Sequence, residues 1–249
     1  MLDFSMSSII QYVLMFPMLL LALSLRGYSR GYVADKLGDP TPRSLGRLTL
    51  NPLKHIDILG FIFMIFFRFG WTKHLPINAR YFKKPRRDIA LTLAAPPIAN
   101  ILLALIFTCL LRLEILFVDL FFSDVFNGAA IGTGFQMICV LNYILYMGVS
   151  LNLCLAVFSL LPIPPFDGAQ IVSLFLPQKL HYRILKYEPY IALVFLFLLF
   201  CVPAFQNLIF AATGGLTDAA LWCFGLSQKT AAGQKMTGMI FYLFSSLFA

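Results

Sequence analysis

Two short polar stretches of this sequence stand among apolar residues and could support chemistry. Residues 26–30, with the sequence Arg-Gly-Tyr-Ser-Arg, directly follow an apolar run. Residues 159–168 contain three prolines and end in Asp167 and Gly168. The prolines break a helix, and irregular backbone at membrane depth must face protein or water. A carboxylate close to lipid is costly unless it is paired or binds a cation, so Asp167 is a candidate functional residue.

The two arginines of the first stretch could either bind this carboxylate or serve only as helix-end residues. Arg26 and Arg30 are spaced by one helical turn, and a guanidinium can form two parallel hydrogen bonds with a carboxylate. An ion-pair clasp on Asp167 would therefore join two distant parts of the chain. The alternatives are that both arginines extend toward the cytoplasmic interface and that Asp167 lies in a solvated loop outside the membrane.

The composition places these residues in a membrane protein. The chain has 249 residues, of which 60% are hydrophobic and 12% charged, and its mean hydropathy is +0.84. Soluble domains carry about a quarter charged residues, so this chain must bury its surface in lipid. Its net charge of +8 comes from basic loops between apolar runs, which is typical of membrane proteins. We predict the lipid bilayer as a partner and no nucleic acid.

Six apolar runs position the polar stretches, and we predict one membrane domain over residues 1–249. The second run is too short to span comfortably and has basic loops on both sides, so we expect it to be re-entrant or interfacial. The sixth run is also short and either spans the membrane or lies at its interface. The runs cover residues 6–25, 58–70, 89–111, 135–161, 190–210 and 236–249.

The loops between the runs differ in charge. Residues 31–57, 71–87 and 177–187 are basic, whereas the connection between the third and fourth runs is acidic. Basic loops are usually cytoplasmic, so we expect a multi-pass protein whose N-terminus is outside. This topology puts residues 26–30 and 159–168 on the cytoplasmic side, where a folded bundle could bring them together.

Several segments resemble the site-2 proteases, zinc metalloproteases that cut substrates within the membrane. Residues 161–168 resemble the family's "LLPIPPLDG" element, and residues 46–57 resemble its "GRLTLNPLxHID" element. Residues 32–41 look like the segment that follows the family's zinc helix, and residues 97–100 resemble the end of its "AGPxxN" motif. The resemblance implies an all-α polytopic membrane bundle, with a small irregular or β insert around residues 43–85 near the cytoplasmic face.

The resemblance also assigns the family's catalytic positions. Its zinc helix carries HExxH, in which two histidines bind the metal and the glutamate activates water, and a later aspartate is the third protein ligand. The aligned HExxH positions are Arg26, Gly27 and Arg30 here, whereas Asp167 keeps the aspartate. Arginine offers no lone pair to zinc, and glycine does not act as a base. Zinc is the family's cofactor, but we expect none in this chain.

The substrate-side positions of the family correspond to Ser159, Asn152 and Asn100. Ser159 stands where the family has an asparagine that is thought to hold substrate backbone. Pro96 replaces the glycine of "AGP". Both departures favour a chain whose original function has been lost or redirected.

A metal site rebuilt from histidines elsewhere in the chain is a further alternative. Such a site would use Asp57 or Asp167 together with histidines from the basic loops. We expect all the histidines to lie in solvated cytoplasmic loops, which makes this alternative unattractive. They are His55, His74 and His181.

The leading hypothesis is a catalytically inactive site-2 protease homologue, a pseudoprotease that binds transmembrane segments without cleaving them. Two alternatives stay open at the sequence level. One is an active intramembrane zinc metalloendopeptidase, as the family label implies. The other is a structural membrane subunit without a retained groove.

Overall fold

In a computed structural model of the protein, the described residues form helices joined by turns and irregular segments, and they contain no strand. The structure describes residues 6–55, 57, 73, 75–121, 133–164, 166–227 and 230–248. The α-helices are α1 (Met6–Leu37), α2 (Thr41–Ser44), α3 (Pro85–Phe121), α4 (Thr133–Leu160), α5 (Asp167–Ser173), α6 (Gln178–Cys201), α7 (Pro203–Cys223) and α8 (Ala231–Phe248). Two short 3-10 helices cover Pro52–Lys54 and Ala79–Tyr81.

Three of the described helices are long and apolar enough to cross a membrane. They comprise Ile10–Leu37, Pro85–Phe121 and Gly134–Leu160, and the bent pair α6–α7 adds a fourth if it counts as one span. The predicted all-α polytopic membrane fold is confirmed. The predicted orientation of the N-terminus and the single domain stay predictions.

The first helix does not end at residues 26–30, as the apolar run alone predicted. It continues to Leu37 and ends at Gly38, whose φ of 116° is a conformation that glycine adopts without a steric penalty. The prediction was wrong because the segment 26–37 is polar but contains good helix formers, and hydropathy does not mark helix ends. Residues 26 and 30 are therefore neighbours on one helical face.

The fifth predicted run is divided between two helices. Val202 has the extended conformation (φ −114°, ψ 100°) between α6 and α7, which meet at 88°. Proline disfavours the helical conformation in the residue before it, so Pro203 explains this break. The sixth run forms α8. Both alternatives for this run, a membrane span and an interfacial helix, stay predictions.

The insert around residues 43–85 is irregular where it is described. Its described residues form turns and the two 3-10 helices, so the irregular form is confirmed and the β form is not observed there. The second apolar run, 58–70, lies outside the described residues. The fully buried Asp39 joins the two ends of the insert, because its carboxylate accepts hydrogen bonds from the backbone N–H of Thr41 (3.0 Å) and Asn78 (2.9 Å).

The chain divides into two compact units. The first comprises Met1–Leu19, Leu102–Asn152 and Gly214–Ala249, and the second comprises Leu20–Ile101 and Leu153–Thr213. Within the first unit, Asn142 Nδ2 donates a hydrogen bond to Glu114 Oε2 (2.8 Å) and links α3 to α4. The second unit contains both polar stretches, residues 26–30 and 159–168.

The second unit has an aromatic core beside the proline-containing break. Phe158, Phe195, Leu199 and Ile209 form its buried cluster. Phe166 packs edge-on against Phe195, with the ring centroids 5.1 Å apart. This packing fixes the residue immediately before Asp167.

Candidate functional site

Asp167 forms ion pairs with both arginines of α1. Arg26 Nη2 lies 2.9 Å from Asp167 Oδ2, and Arg30 Nη1 lies 2.8 Å from Asp167 Oδ1. Both carboxylate oxygens are therefore engaged, each by a different guanidinium. Asp167 and Arg30 are only 4% and 8% exposed, so the pairs are poorly screened by solvent. We call these three residues the Arg–Asp cluster.

The backbone around Asp167 is shaped to deliver its side chain to α1. The chain leaves α4 at Leu160, turns at Leu161 and begins α5 at Asp167. A Cβ atom at Gly168 would lie 2.6 Å from the Leu161 carbonyl oxygen, so only glycine permits this close approach of α5 to the end of α4. The tight turn places an aspartate of α5 against side chains of α1.

Ser159 is the third contact of Arg26. Its hydroxyl oxygen accepts a hydrogen bond from Arg26 Nη1 (2.5 Å) and lies 2.7 Å from the Leu155 carbonyl oxygen, to which it donates. Arg26 thus bridges α4 and α5. The sequence did not reveal this contact, since it offered only a substrate-side role for Ser159.

Substituting Ser159 with alanine should weaken the second unit modestly. The change removes the acceptor of a charged, partly buried donor, which costs about 1–3 kcal/mol. Thermal unfolding of purified Ser159→Ala in detergent measures the loss. The matched control is Ser44→Ala, because the Ser44 hydroxyl is exposed and bonds only to a backbone carbonyl of its own helix. Equal melting temperatures for the two variants would contradict a stabilising role for the Arg26–Ser159 bond.

The side chain of His55 lies against Gly27, the residue that stands where the family has its catalytic glutamate. A Cβ atom added at Gly27 would lie 2.7 Å from Cγ and 2.8 Å from Cε1 of the His55 ring. The ring is only 3% exposed, and its Nε2 lies 2.7 Å from the Thr49 carbonyl oxygen. The expectation that His55 is solvated was wrong, because the loop folds back on α1. His74 and the side chain of His181 lie outside what the structure describes.

Burial lowers the pKa of His55 below its ordinary value of 6.5, and the charge of Arg47 adds to this effect. The hydrogen bond to the Thr49 carbonyl oxygen opposes it. The imidazole is therefore neutral at pH 7, with Nε2 as its donor to Thr49.

The His55 contribution to stability should fall as the solution becomes acidic. The unfolded chain binds a proton near pH 6.5 and the folded chain binds it only at lower pH, so the free energy of unfolding decreases as the pH falls below about 6.5. Above that pH the contribution is constant. Melting temperatures of the parent and of His55→Asn between pH 5 and 8 test this, and an equally steep decline in the variant would contradict it.

The ligand chemistry of the cluster does not fit zinc. Both arginines offer only donors, and their N–H groups already bind the two Asp167 oxygens that a metal would need. Within the described residues, no group of three or more His, Cys, Asp or Glu side chains is arranged to hold a metal ion.

The other two predicted site residues are buried in helices. Asn100 lies in α3 in the second unit, and neither atom of its side-chain amide has a hydrogen-bond partner among the described residues. Asn152 lies in α4 in the first unit, where its Nδ2 donates to the Gly148 carbonyl oxygen (2.8 Å) and its Oδ1 has no such partner. The substrate-binding role of Ser159, Asn152 and Asn100 stays a prediction.

Comparison with known proteins agrees with the sequence resemblance. The family model of "Peptidase family M50" matches residues 31–202, a segment that begins directly after Arg30 and contains Asp167. The Bacillus subtilis (strain 168) protein "Putative zinc metalloprotease YwhC" is 34% identical over 207 residues, which cover 83% of this chain and 88% of that protein. No solved structure gives a significant match.

Proposed function

This chain belongs to peptidase family M50, the site-2 protease family, and we propose that it is a catalytically inactive homologue that binds transmembrane segments without cleaving them. It is a multi-pass integral membrane protein.

The observation that carries the proposal is the pair of short contacts from Arg26 and Arg30 to Asp167. They neutralise the one carboxylate of the family's ligand set with groups that do not bind metals. The polypeptide contact between α1 and α5, which zinc would otherwise bridge, is kept by ion pairs. The fold of the second unit is thereby made independent of a metal.

Hydrolysis would also require a base that activates water, and Gly27 supplies none. The space beside Gly27 contains the His55 ring, whose Nε2 is committed to the Thr49 carbonyl oxygen. A neutral imidazole fixed in this way does not replace a glutamate beside a metal-bound water. The chemistry of the site therefore supports binding rather than peptide hydrolysis.

The buried asparagines support a retained binding function. A buried amide without a hydrogen-bond partner is uncommon and costs about 1–3 kcal/mol. Asn100 and Asn152 carry such atoms in separate units, and both occupy positions that the family resemblance gives to the substrate side. In the second unit, backbone N–H and C=O groups of a bound, locally extended segment would satisfy both atoms of the Asn100 amide. The partner we propose is accordingly the transmembrane segment of another protein.

The competing hypothesis, an active zinc endopeptidase, is favoured by the name of the Bacillus relative. A single experiment separates the hypotheses. A photoreactive residue is placed at Asn100, or at Leu102 on the exposed side of the same helix, and the protein is reconstituted with a labelled transmembrane peptide. At Asn100 we expect cross-linking that an excess of unlabelled peptide abolishes. At Leu102 we expect only cross-linking that unlabelled peptide does not reduce. The peptide should remain uncleaved in both variants.

Each other outcome would reject the proposal. Cleaved peptide products that zinc chelation abolishes would show the active protease. An absence of competable cross-linking at Asn100 would favour the structural subunit.

A further inference from the structure

The Arg–Asp cluster carries an excess of one positive charge. Two guanidiniums contribute +2 and Asp167 contributes −1, and glycine stands at position 27, where the family has a glutamate. Among the described residues no second carboxylate pairs with either arginine. The neighbouring His55 is neutral at pH 7, so it adds no charge of either sign.

Part of the Arg30 guanidinium is unused within this cluster. Its Nη1 donates to Asp167, but its buried Nε has no hydrogen-bond partner among the described residues. A buried N–H group of a charged side chain is expensive to leave unpaired. The edge formed by Nε and Nη2 is the side of guanidinium that binds two oxygens of one anion in parallel.

We infer that the Arg–Asp cluster is a binding site for a carboxylate, held by the Nε–Nη2 edge of Arg30. A singly charged anion would neutralise the cluster, and its two oxygens match the two parallel donors. The neighbouring Arg26 would add charge attraction while it stays bonded to Ser159 and Asp167. This inference goes beyond the proposed function, since it holds whether or not transmembrane segments bind.

The carboxylate could come from a water-soluble acid or from the head group of a fatty acid. Arg26 follows directly on the apolar run of α1, so the cluster lies where an apolar stretch of the chain meets a polar one. The chemistry at Arg30 is the same for both, and only the route to the cluster differs.

Two probes labelled with ¹³C at the carboxyl carbon test the site at pH 7. Acetate is titrated into the protein in neutral detergent, and laurate into the protein in zwitterionic nanodiscs, with dodecanol as the uncharged competitor. We expect at least one probe to show a saturable shift of its carboxyl resonance that dodecanol does not displace. Acetate binding identifies a site open to water, and laurate binding alone identifies one open to the bilayer. Saturation by neither probe would overturn the inference.

Three variants examine which groups hold the probe. Arg30→Lys keeps the charge but removes Nε, and it should weaken binding by about 10-fold or more. Arg43→Lys is the matched control, because Arg43 forms a balanced, exposed pair with Asp35. Equal affinities for the Arg30 and Arg43 variants would contradict the site.

Asp167→Asn provides an independent result of opposite sign. It removes the competing carboxylate and raises the cluster charge to +2, so the probe that binds the parent should bind more tightly, by about 10-fold. A variant that merely disturbed the fold would bind less. Unchanged or weaker binding by folded Asp167→Asn would therefore overturn the inference, even if Arg30→Lys did not fold.

Discussion

Asp167→Ala should be among the most destabilising single substitutions in the second unit, with a loss of about 3–5 kcal/mol in the free energy of unfolding. The change leaves two guanidiniums close together in a site where Arg30 is 8% exposed, without the carboxylate that binds both. The loss arises chiefly from this unpaired charge rather than from the contacts that disappear. Thermal or denaturant unfolding in detergent measures it.

The control for this prediction is a second Arg–Asp pair in the same unit. Arg43 Nη2 lies 2.7 Å from Asp35 Oδ2, but the Arg43 side chain is 74% exposed. Asp35→Ala should consequently cost no more than about 1 kcal/mol. Similar losses for Asp167→Ala and Asp35→Ala would show that the buried cluster is not a special stabilising feature.

Removing the charges should recover the stability that Asp167→Ala loses. Replacing Arg26 and Arg30 with methionine in the Asp167→Ala background eliminates the uncompensated guanidiniums, and buried ion pairs are often replaced by apolar residues at little cost. We expect the triple variant to be more stable than Asp167→Ala. A further loss of stability would mean that the arginines stabilise the fold through contacts other than Asp167.

Gly27→Ala should be destabilising by about 1–3 kcal/mol, although alanine is normally the better helix former. The added methyl group would collide with the His55 ring, which is buried and held by the Thr49 carbonyl oxygen. Gly214→Ala in α7 is the matched control, since a Cβ atom there meets nothing within 4 Å. That variant should be neutral or slightly stabilised.

A double-mutant cycle with His55→Ala isolates the collision. If the ring is the obstacle, Gly27→Ala should cost much less in the His55→Ala background than in the parent, so the two effects should not be additive. Additive losses would contradict the contact.

Much of the fold and part of the site could be predicted from the sequence. The apolar runs predicted the membrane helices. The clasp of Arg26 and Arg30 on Asp167 was one of two interpretations that the sequence left open, suggested by the cost of an unpaired carboxylate near lipid and by the family's metal positions. Helix ends were less predictable, since the polar second half of α1 is helical and Pro203 divides the fifth run. Local backbone geometry rather than hydropathy decides both.

The packing of His55 on Gly27 could not have been predicted from spacing. The two residues are 28 positions apart, and the loop between them is held by single contacts such as the carbonyl of Thr49. The sequence around His55 is polar and basic, which is typical of a solvated loop. The one available signal was the glycine itself, because a position without a side chain on a helix often marks a close neighbour.

The central claim is that ion pairs have replaced the metal in this member of the family. Its most direct test is the zinc content of the protein, purified without chelators from zinc-supplemented cells and measured by elemental mass spectrometry. Because Arg26 and Arg30 occupy Asp167, we expect far less than one zinc per chain in the parent protein. The zinc content of Asp167→Ala should be equally low. About one tightly bound zinc per chain, lost in Asp167→Ala, would contradict the account.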